Sequence, residues 1–451
     1  MTKNRDLTQG PVSGHLIAMA IPAAMGMIFN TLYNLTDFWF AGKLSDDALA
    51  GVSIAGSVFF LILSGSIGMQ TGTTAMVATE VGRGNTDSVA NWIDQATGLG
   101  LVLSAACLLL GLWVADPLIR FLGAEAHVFP YAKTYVLIVL WGCFAFILSG
   151  VAAGALMALG DTVSNRNALA VGLIANFVLN PILIFVFKLG VAGLAIATIL
   201  IKLGTVIYLY NVLKKRVGRQ VVPGFSPQDW IELLRQVAPA SFNMLTVVLG
   251  GFITVGFIGR FGSENVAGYA VGLRLEQLLL LPALGLSTAV MALVGQNFGA
   301  NNPARIKETY KTAVYTGLAI AIFSVPVMIF LPRYLLGFFS SNATIIATGT
   351  TYLRIDALAF FAYVILFISM ASLQAIKKPM FPMYLGFARQ LVLPASINYC
   401  LIVIFGLPMI WLFVTIISVV ICSAFFAHWY TWRELSRLET SLHDHVPTET
   451  S

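Results

Sequence analysis

Charge is what this sequence has least of: Asp, Glu, Lys and Arg together supply 10% of its 451 residues, against 58% hydrophobic. Soluble domains average roughly 25% charged residues, so a soluble globular fold is excluded. Cysteine is scarce too. Cys107, Cys143, Cys400 and Cys422 lie in apolar stretches without any C-x-x-C spacing, which argues against a disulfide framework or a metal site and for plain helix packing. No H-E-x-x-H, G-x-S-x-G or G-x-x-x-x-G-K-[ST] pattern occurs. Neither a hydrolase nor an ATP-driven pump has support, and an enzyme is not expected. A cleavable leader is also not expected, because the first apolar segment is long enough to stay in a membrane.

Long apolar runs are abundant. Crossing about 30 Å of hydrocarbon takes on the order of 20 helical residues, and runs of that size fall at 14–41, 48–78, 91–115, 131–158, 163–187, 191–214, 229–259, 266–297, 307–331, 348–376, 381–404 and 408–433. The expected fold is therefore an all-α polytopic membrane protein of twelve transmembrane helices. The chain also repeats itself at an offset of 217 residues: Pro22 faces Pro239, Gly42 faces Gly259, Gly68 faces Gly285, Gly82 faces Gly299, Tyr135 faces Tyr352 and Leu156 faces Leu373. Six spans per repeat give both halves the same orientation, so the pseudo-twofold axis is expected along the membrane normal, with two pseudo-symmetric six-helix lobes around a central cleft.

The boundaries read as a cytoplasmic N-terminal segment (1–13), an N-lobe (14–214), a solvent-exposed inter-lobe linker (215–228), a C-lobe (229–433) and a polar tail (434–451) expected to be disordered. The net charge of +6 reflects topology and not nucleic-acid binding. With both termini in the cytoplasm, sixteen Lys and Arg fall inside and six outside, which satisfies the positive-inside rule.

A carboxylate inside a membrane span costs at least about 2.5–3.5 kcal/mol, so it survives where it is paired, hydrated or useful. Asp37, in NLTDFWFAG, lies more than twenty residues into the first span, and its repeat mate is Thr254. A scaffold role would predict an acid in both lobes, so Asp37 is the leading functional residue. Asn176 and Asn180 in the fifth span are four apart, hence on one face, and are the expected partners. Pro181 follows them and should free a backbone carbonyl near residues 175–177. Pro22 is expected to hinge the first span, although Pro239 repeats it. In the second half Arg274 and Glu276, and Arg354 and Asp356, put both signs of charge into helices. Mutual neutralisation is the expectation for them, a second ion site the alternative.

The residues resemble a known family at this point. LTQGPVSGHL leading into AIPAAM, NLTDFWFAG, VGRGN with its echo FGANN, ALGDT, and NFVLNP are together, and in this order, similar to the multidrug and toxic compound extrusion (MATE) transporters, in particular the DinF-like bacterial branch. The resemblance implies a secondary active transporter that exports amphipathic or cationic organic compounds in exchange for H+ or Na+. It implies coupling at Asp37 with Asn176, Asn180 and Thr198, and a substrate cavity including Tyr33, Asn34 and Tyr135. Relatives often have aspartate where Asn180 stands. A lone carboxyl among amides suits a one-proton switch better than a Na+ cage, so proton coupling is the expectation and Na+ coupling the alternative. A lipid-linked oligosaccharide flippase of the related superfamily is the further rival. No cofactor and no metal are expected; the partners are small organic cations and membrane lipid, the protein a monomer in a bacterial inner membrane.

Overall fold

A computed structural model of the chain describes residues 5–443, and no strand occurs among the described residues. The first half holds α1 (Val12–Leu44), α2 (Asp46–Gly82), α3 (Thr86–Phe121), α4 (Phe129–Trp141), α5 (Cys143–Ala158), α6 (Val163–Pro181) and α7 (Gly190–Val217). The second holds α8 (Pro227–Gly259), α9 (Ser263–Gly299), α10 (Pro303–Phe330), the short α11 (Pro332–Gly337), α12 (Ala343–Asp356), α13 (Phe360–Ala375), α14 (Met380–Phe387), α15 (Leu393–Asn398) and α16 (Ile410–His443). Among the described residues, ten continuous segments are long and apolar enough to cross a membrane. The pairs α4–α5 and α12–α13 form two more spans, bent by 50° and 59°. Twelve spans result, at the places the hydropathy predicts.

The duplication is visible in backbone detail. After α2, Gly84 adopts a left-handed φ of 71°, and the Asn85 side chain caps α3 by accepting the Ser88 amide. After α9, Asn301 adopts φ 54° and Asn302 caps α10 through the Arg305 amide. The turn at Gly160 (φ 79°) is repeated at Lys377 (φ 60°). The two bent spans break at matching positions, and a π-helical turn at Ile182–Val186 has its counterpart at Tyr399–Ile404. Only the first of these turns follows a proline, so Pro181 is not what widens the helix in both halves.

Small residues set the helix spacing. A Cβ on Gly150 or Gly154 of α5 would lie 2.4 Å from the Ser66 carbonyl oxygen or 2.3 Å from that of Gln70 in α2, so these helices touch backbone to backbone, as small residues permit in membranes.

The chain divides into two compact units, residues 1–6 with 25–245, and 7–24 with 246–451. Each unit thus takes the first part of one long helix from the other half of the sequence. In the first, Gly68 of α2 lies against Val237 and Ser241 of α8. In the second, Gly285 of α9 lies against Ala20 and Ala24 of α1, and all of these pairs are related by the same 217-residue offset. α1 runs as one helix through Pro22, and the division between units follows two residues later.

The linker after α7 is anchored as well as exposed: Asp94 of α3 accepts from Arg219 at 2.6 Å and from the Val222 amide at 2.9 Å, and the Ser226 amide donates to Gln95 at 2.9 Å. One sequence expectation needs correction. Residues 434–443, taken as disordered tail, continue α16. Ion pairs of Glu434 with Lys378 and of Glu439 with Lys307 hold this extension to the unit, and Glu434 also pairs with Arg433 and Arg437 along the same helix. The remainder of that tail, and residues 1–4 of the N-terminal segment, lie outside the described residues. The N-terminal segment is pinned from Leu7 onward. The Leu7 amide donates to Gln296, and Arg305 donates to the carbonyls of Leu7, Gln9 and Gly10.

Candidate coupling site

Asp37 sits in the last third of α1, where helical spacing brings Tyr33 and Asp37 to one face. α6 presents Asn176 and Asn180 one turn apart, and α7 presents Thr198. All four partners of the expected cluster meet within the first unit. Asn176 Nδ2 donates to Asp37 Oδ1 at 2.7 Å and Asn180 Nδ2 donates to the same oxygen at 2.9 Å. Thr198 Oγ1 donates to Asp37 Oδ2 at 3.3 Å, and Asn180 Nδ2 also reaches Asn176 Oδ1 at 3.1 Å. Asp37 is 6% exposed and both asparagines are fully buried.

The polarity of this cluster matters. Both amides give the carboxyl a hydrogen, which matches an ionised carboxylate that can only accept, while the single hydrogen of the Thr198 hydroxyl is shared between Asp37 Oδ2 and the Leu194 carbonyl at 3.1 Å. A protonated Asp37 would set its own O–H among these groups, so taking up a proton turns the Thr198 hydroxyl wholly to Leu194 or displaces an amide. Asn180 Oδ1 is buried and without a partner, as is Tyr33 Oη. Tyr33 lies within reach of Asn176 and Thr198 but makes no well-formed bond to either. Such atoms cost roughly 1–3 kcal/mol each unless water or a ligand satisfies them. Tyr135 is buried nearby, whereas Asn34 is exposed and outside the hydrogen-bonded cluster.

The second unit has a different polar cluster. Tyr352 Oη donates to Glu276 Oε2, and Asp356 is fully buried with neither carboxyl oxygen hydrogen-bonded. Arg389, in the π-helical turn Ala388–Val392 between α14 and α15, is buried with Nε unpartnered. The expected neutralisation of Glu276 by Arg274 and of Asp356 by Arg354 does not occur. Both arginines are exposed, and Arg354 Nε instead donates to the Ile329 carbonyl at 3.1 Å. Residues two apart on a helix point to nearly opposite faces, so the acids turn inward and the arginines outward. Sequence reasoning missed Arg389 as a member of this cluster. Its signal was available, as the only charge in the apolar run 381–404.

The MatE family pattern matches residues 22–182 and 239–400, one copy in each half of the chain. The chain belongs to the MatE family of multidrug efflux transporters. The MATE chain resembles the probable multidrug resistance protein YpnP of Bacillus subtilis (strain 168), with 26% identity over 78% of this chain and 80% of the relative. It resembles the FAD transporter of Shewanella oneidensis at 26% identity over 87% and 89% of the two chains. The probable multidrug resistance protein NorM of Thermotoga maritima is 29% identical over 76% and 75%. Among solved structures, a MATE protein in complex with MaL6 superimposes with a TM-score of 0.91 at 23% identity over 98% of this chain and all of that one. A MOP superfamily transporter from Pyrococcus furiosus gives 0.90 at 24% identity over 97% and 99%. At those identities the structural matches establish the shared fold. The α1 cluster falls within the first matched segment apart from Thr198, which lies beyond its end at 182.

Proposed function

We propose that this MATE-family transporter exports amphipathic, cationic organic compounds in exchange for protons, with Asp37 as the coupling group. The observation that carries the reading is the direction of the hydrogen bonds. Two amide nitrogens and a hydroxyl face Asp37, whereas Na+ prefers several oxygen ligands and would need both amides turned round. A proton needs only one lone pair of the carboxyl. On protonation the cluster loses its match between α1, α6 and α7, and the rearranged α1, with Pro22 as its hinge, lowers affinity for the bound compound. Deprotonation on the other side restores the starting network. The site is proposed to act in a bacterial plasma membrane, as a monomer with both termini cytoplasmic.

A second reading concerns the cargo. The relative from Shewanella oneidensis is an FAD transporter, and the buried Nε–H of Arg389, which has no hydrogen-bond partner, would suit an acceptor group of such a cargo. Both cargos can be tested in one preparation: proteoliposomes carrying an imposed pH gradient in Na+-free buffer, supplied with a cationic dye or with FAD. Dye transport that collapses with the gradient, and that Asp37→Asn lowers at least tenfold, supports proton antiport. Transport that appears only when Na+ is added refutes it, and uptake of FAD without dye would replace the cationic cargo.

A further inference from the structure

The second unit carries a patch of cations and aromatic rings, built where α10 begins and α16 ends, which the transport reading does not use. Lys307 and Lys311, one turn apart on α10, both hold their Nζ 5.2 Å from the ring centroid of Trp432. One residue further on, the Arg433 guanidinium lies 5.2 Å from the Trp429 centroid and 5.3 Å from that of Tyr430. Glu434, whose side chain is 2% exposed, accepts from Lys378 and from Arg437 at 3.0 Å and lies 3.5 Å from Arg433. One carboxylate is thereby shared among three cations. Lys307 pairs with Glu439, while Lys311 is exposed and has no acidic group within ion-pair distance among the described residues. Five cations (Lys307, Lys311, Lys378, Arg433, Arg437) thus meet two carboxylates, a surplus of three charges, and two if the exposed Glu308 next to Lys307 is counted.

One helical turn toward the middle of the α16 span the surface becomes apolar. Phe425 is 75% exposed, Phe426 and Trp429 nearly half exposed, and Phe426 stacks on Trp429 with centroids 5.6 Å apart. Unpaired positive charge, flat amphipathic rings beside it and an open apolar wall behind are the complement of a phospholipid: phosphate, interfacial region and acyl chain in that order. Trp and Tyr prefer the headgroup level, and the alkyl stems of Lys and Arg cover apolar surface while their heads reach the water. We propose that this end of α10 and α16 is a binding site for an anionic phospholipid, with Lys311 and Arg433 holding the headgroup phosphate against Trp432 and Trp429.

The test titrates the detergent-solubilised full chain with phosphatidylglycerol, with phosphatidylcholine and with inorganic phosphate, counting bound ligands by native mass spectrometry. Each basic residue near anionic lipid contributes about fivefold in affinity. Lys311→Ala/Arg433→Ala should therefore bind phosphatidylglycerol on the order of 25-fold more weakly than wild type. Lys311→Arg/Arg433→Lys, which keeps the charges, should bind as wild type does. Lys215→Ala, which removes one exposed charge from the other unit, should also change nothing. Equal affinity for the two lipids, or an alanine double variant that keeps its preference, overturns the proposal. Inorganic phosphate binding as tightly as phosphatidylglycerol overturns the lipid and leaves a simple anion site.

Discussion

Asp37 receives hydrogen bonds from two amides and a share of the Thr198 hydroxyl hydrogen, and makes none; this one-sidedness is the basis for every prediction about its neighbours. Asn180→Asp would place a second carboxyl against Asp37 Oδ1, where the Asn180 amide now stands at 2.9 Å. Two carboxylates so close cannot both ionise without a cation between them. The variant should therefore transport faster when Na+ is added, where wild type is indifferent to it; dye efflux at fixed pH gradient with and without Na+ measures this. In the second unit, Tyr352→Phe removes the donor to Glu276 Oε2 and leaves a buried carboxyl oxygen unsatisfied. The loss should be about 1–3 kcal/mol, read as a lower thermal midpoint in detergent. Residue-level reading of the sequence was most successful where spacing determined a face: Asn176 and Asn180 are one turn apart and do converge on Asp37. It failed where adjacency in sequence stood in for adjacency in space, at Arg274 and Glu276 and at Arg354 and Asp356. There the helix separates what the sequence places side by side. The hydrogen-bond direction itself was not legible, because it depends on how three helices pack.

Element lengths follow closely from hydropathy, since the thickness of hydrocarbon fixes how many apolar residues a span needs. Bends do not. The span from 129 to 158 breaks at Gly142, where a Cβ would lie 2.5 Å from the Ile199 side chain, and nothing in the apolar run marks that position apart from the glycine itself. The α2–α5 contact is similarly demanding. Gly154→Ala would drive a methyl group to 2.3 Å from the Gln70 carbonyl oxygen; backbone cannot yield as a flexible side chain does, so a destabilisation of about 1–3 kcal/mol is expected. A thermal melt in detergent checks it, with Gly204→Ala, which meets no neighbouring atom in the interior of α7, expected not to lower the midpoint. The extended end of α16 was misread for an identifiable reason: it is polar by composition, and its order comes from ion pairs with Lys307 and Lys378, residues more than fifty positions away.

At the scale of the whole molecule, the duplication and the twelve spans were legible because both are written as patterns over hundreds of residues. The exchange of the first parts of α1 and α8 between the compact units was not, although the glycines that permit it, Gly68 and Gly285, belong to the repeat. Orientation remains a prediction of charge. In a cysteine-free background, Lys215→Cys and Lys377→Cys should react with a membrane-impermeant maleimide only after the cytoplasmic side is opened. Glu125→Cys and Ser340→Cys should react in intact cells, and the reverse pattern would invert the topology. The central claim is that binding of cargo and binding of a proton at Asp37 exclude one another. It is tested most directly by adding a cationic dye to the purified protein in weakly buffered, Na+-free solution and recording proton release. About one proton per dye bound in wild type, and none in Asp37→Asn that still binds dye, is the predicted result. Equal release from both proteins, or none from wild type while dye binds, would contradict it.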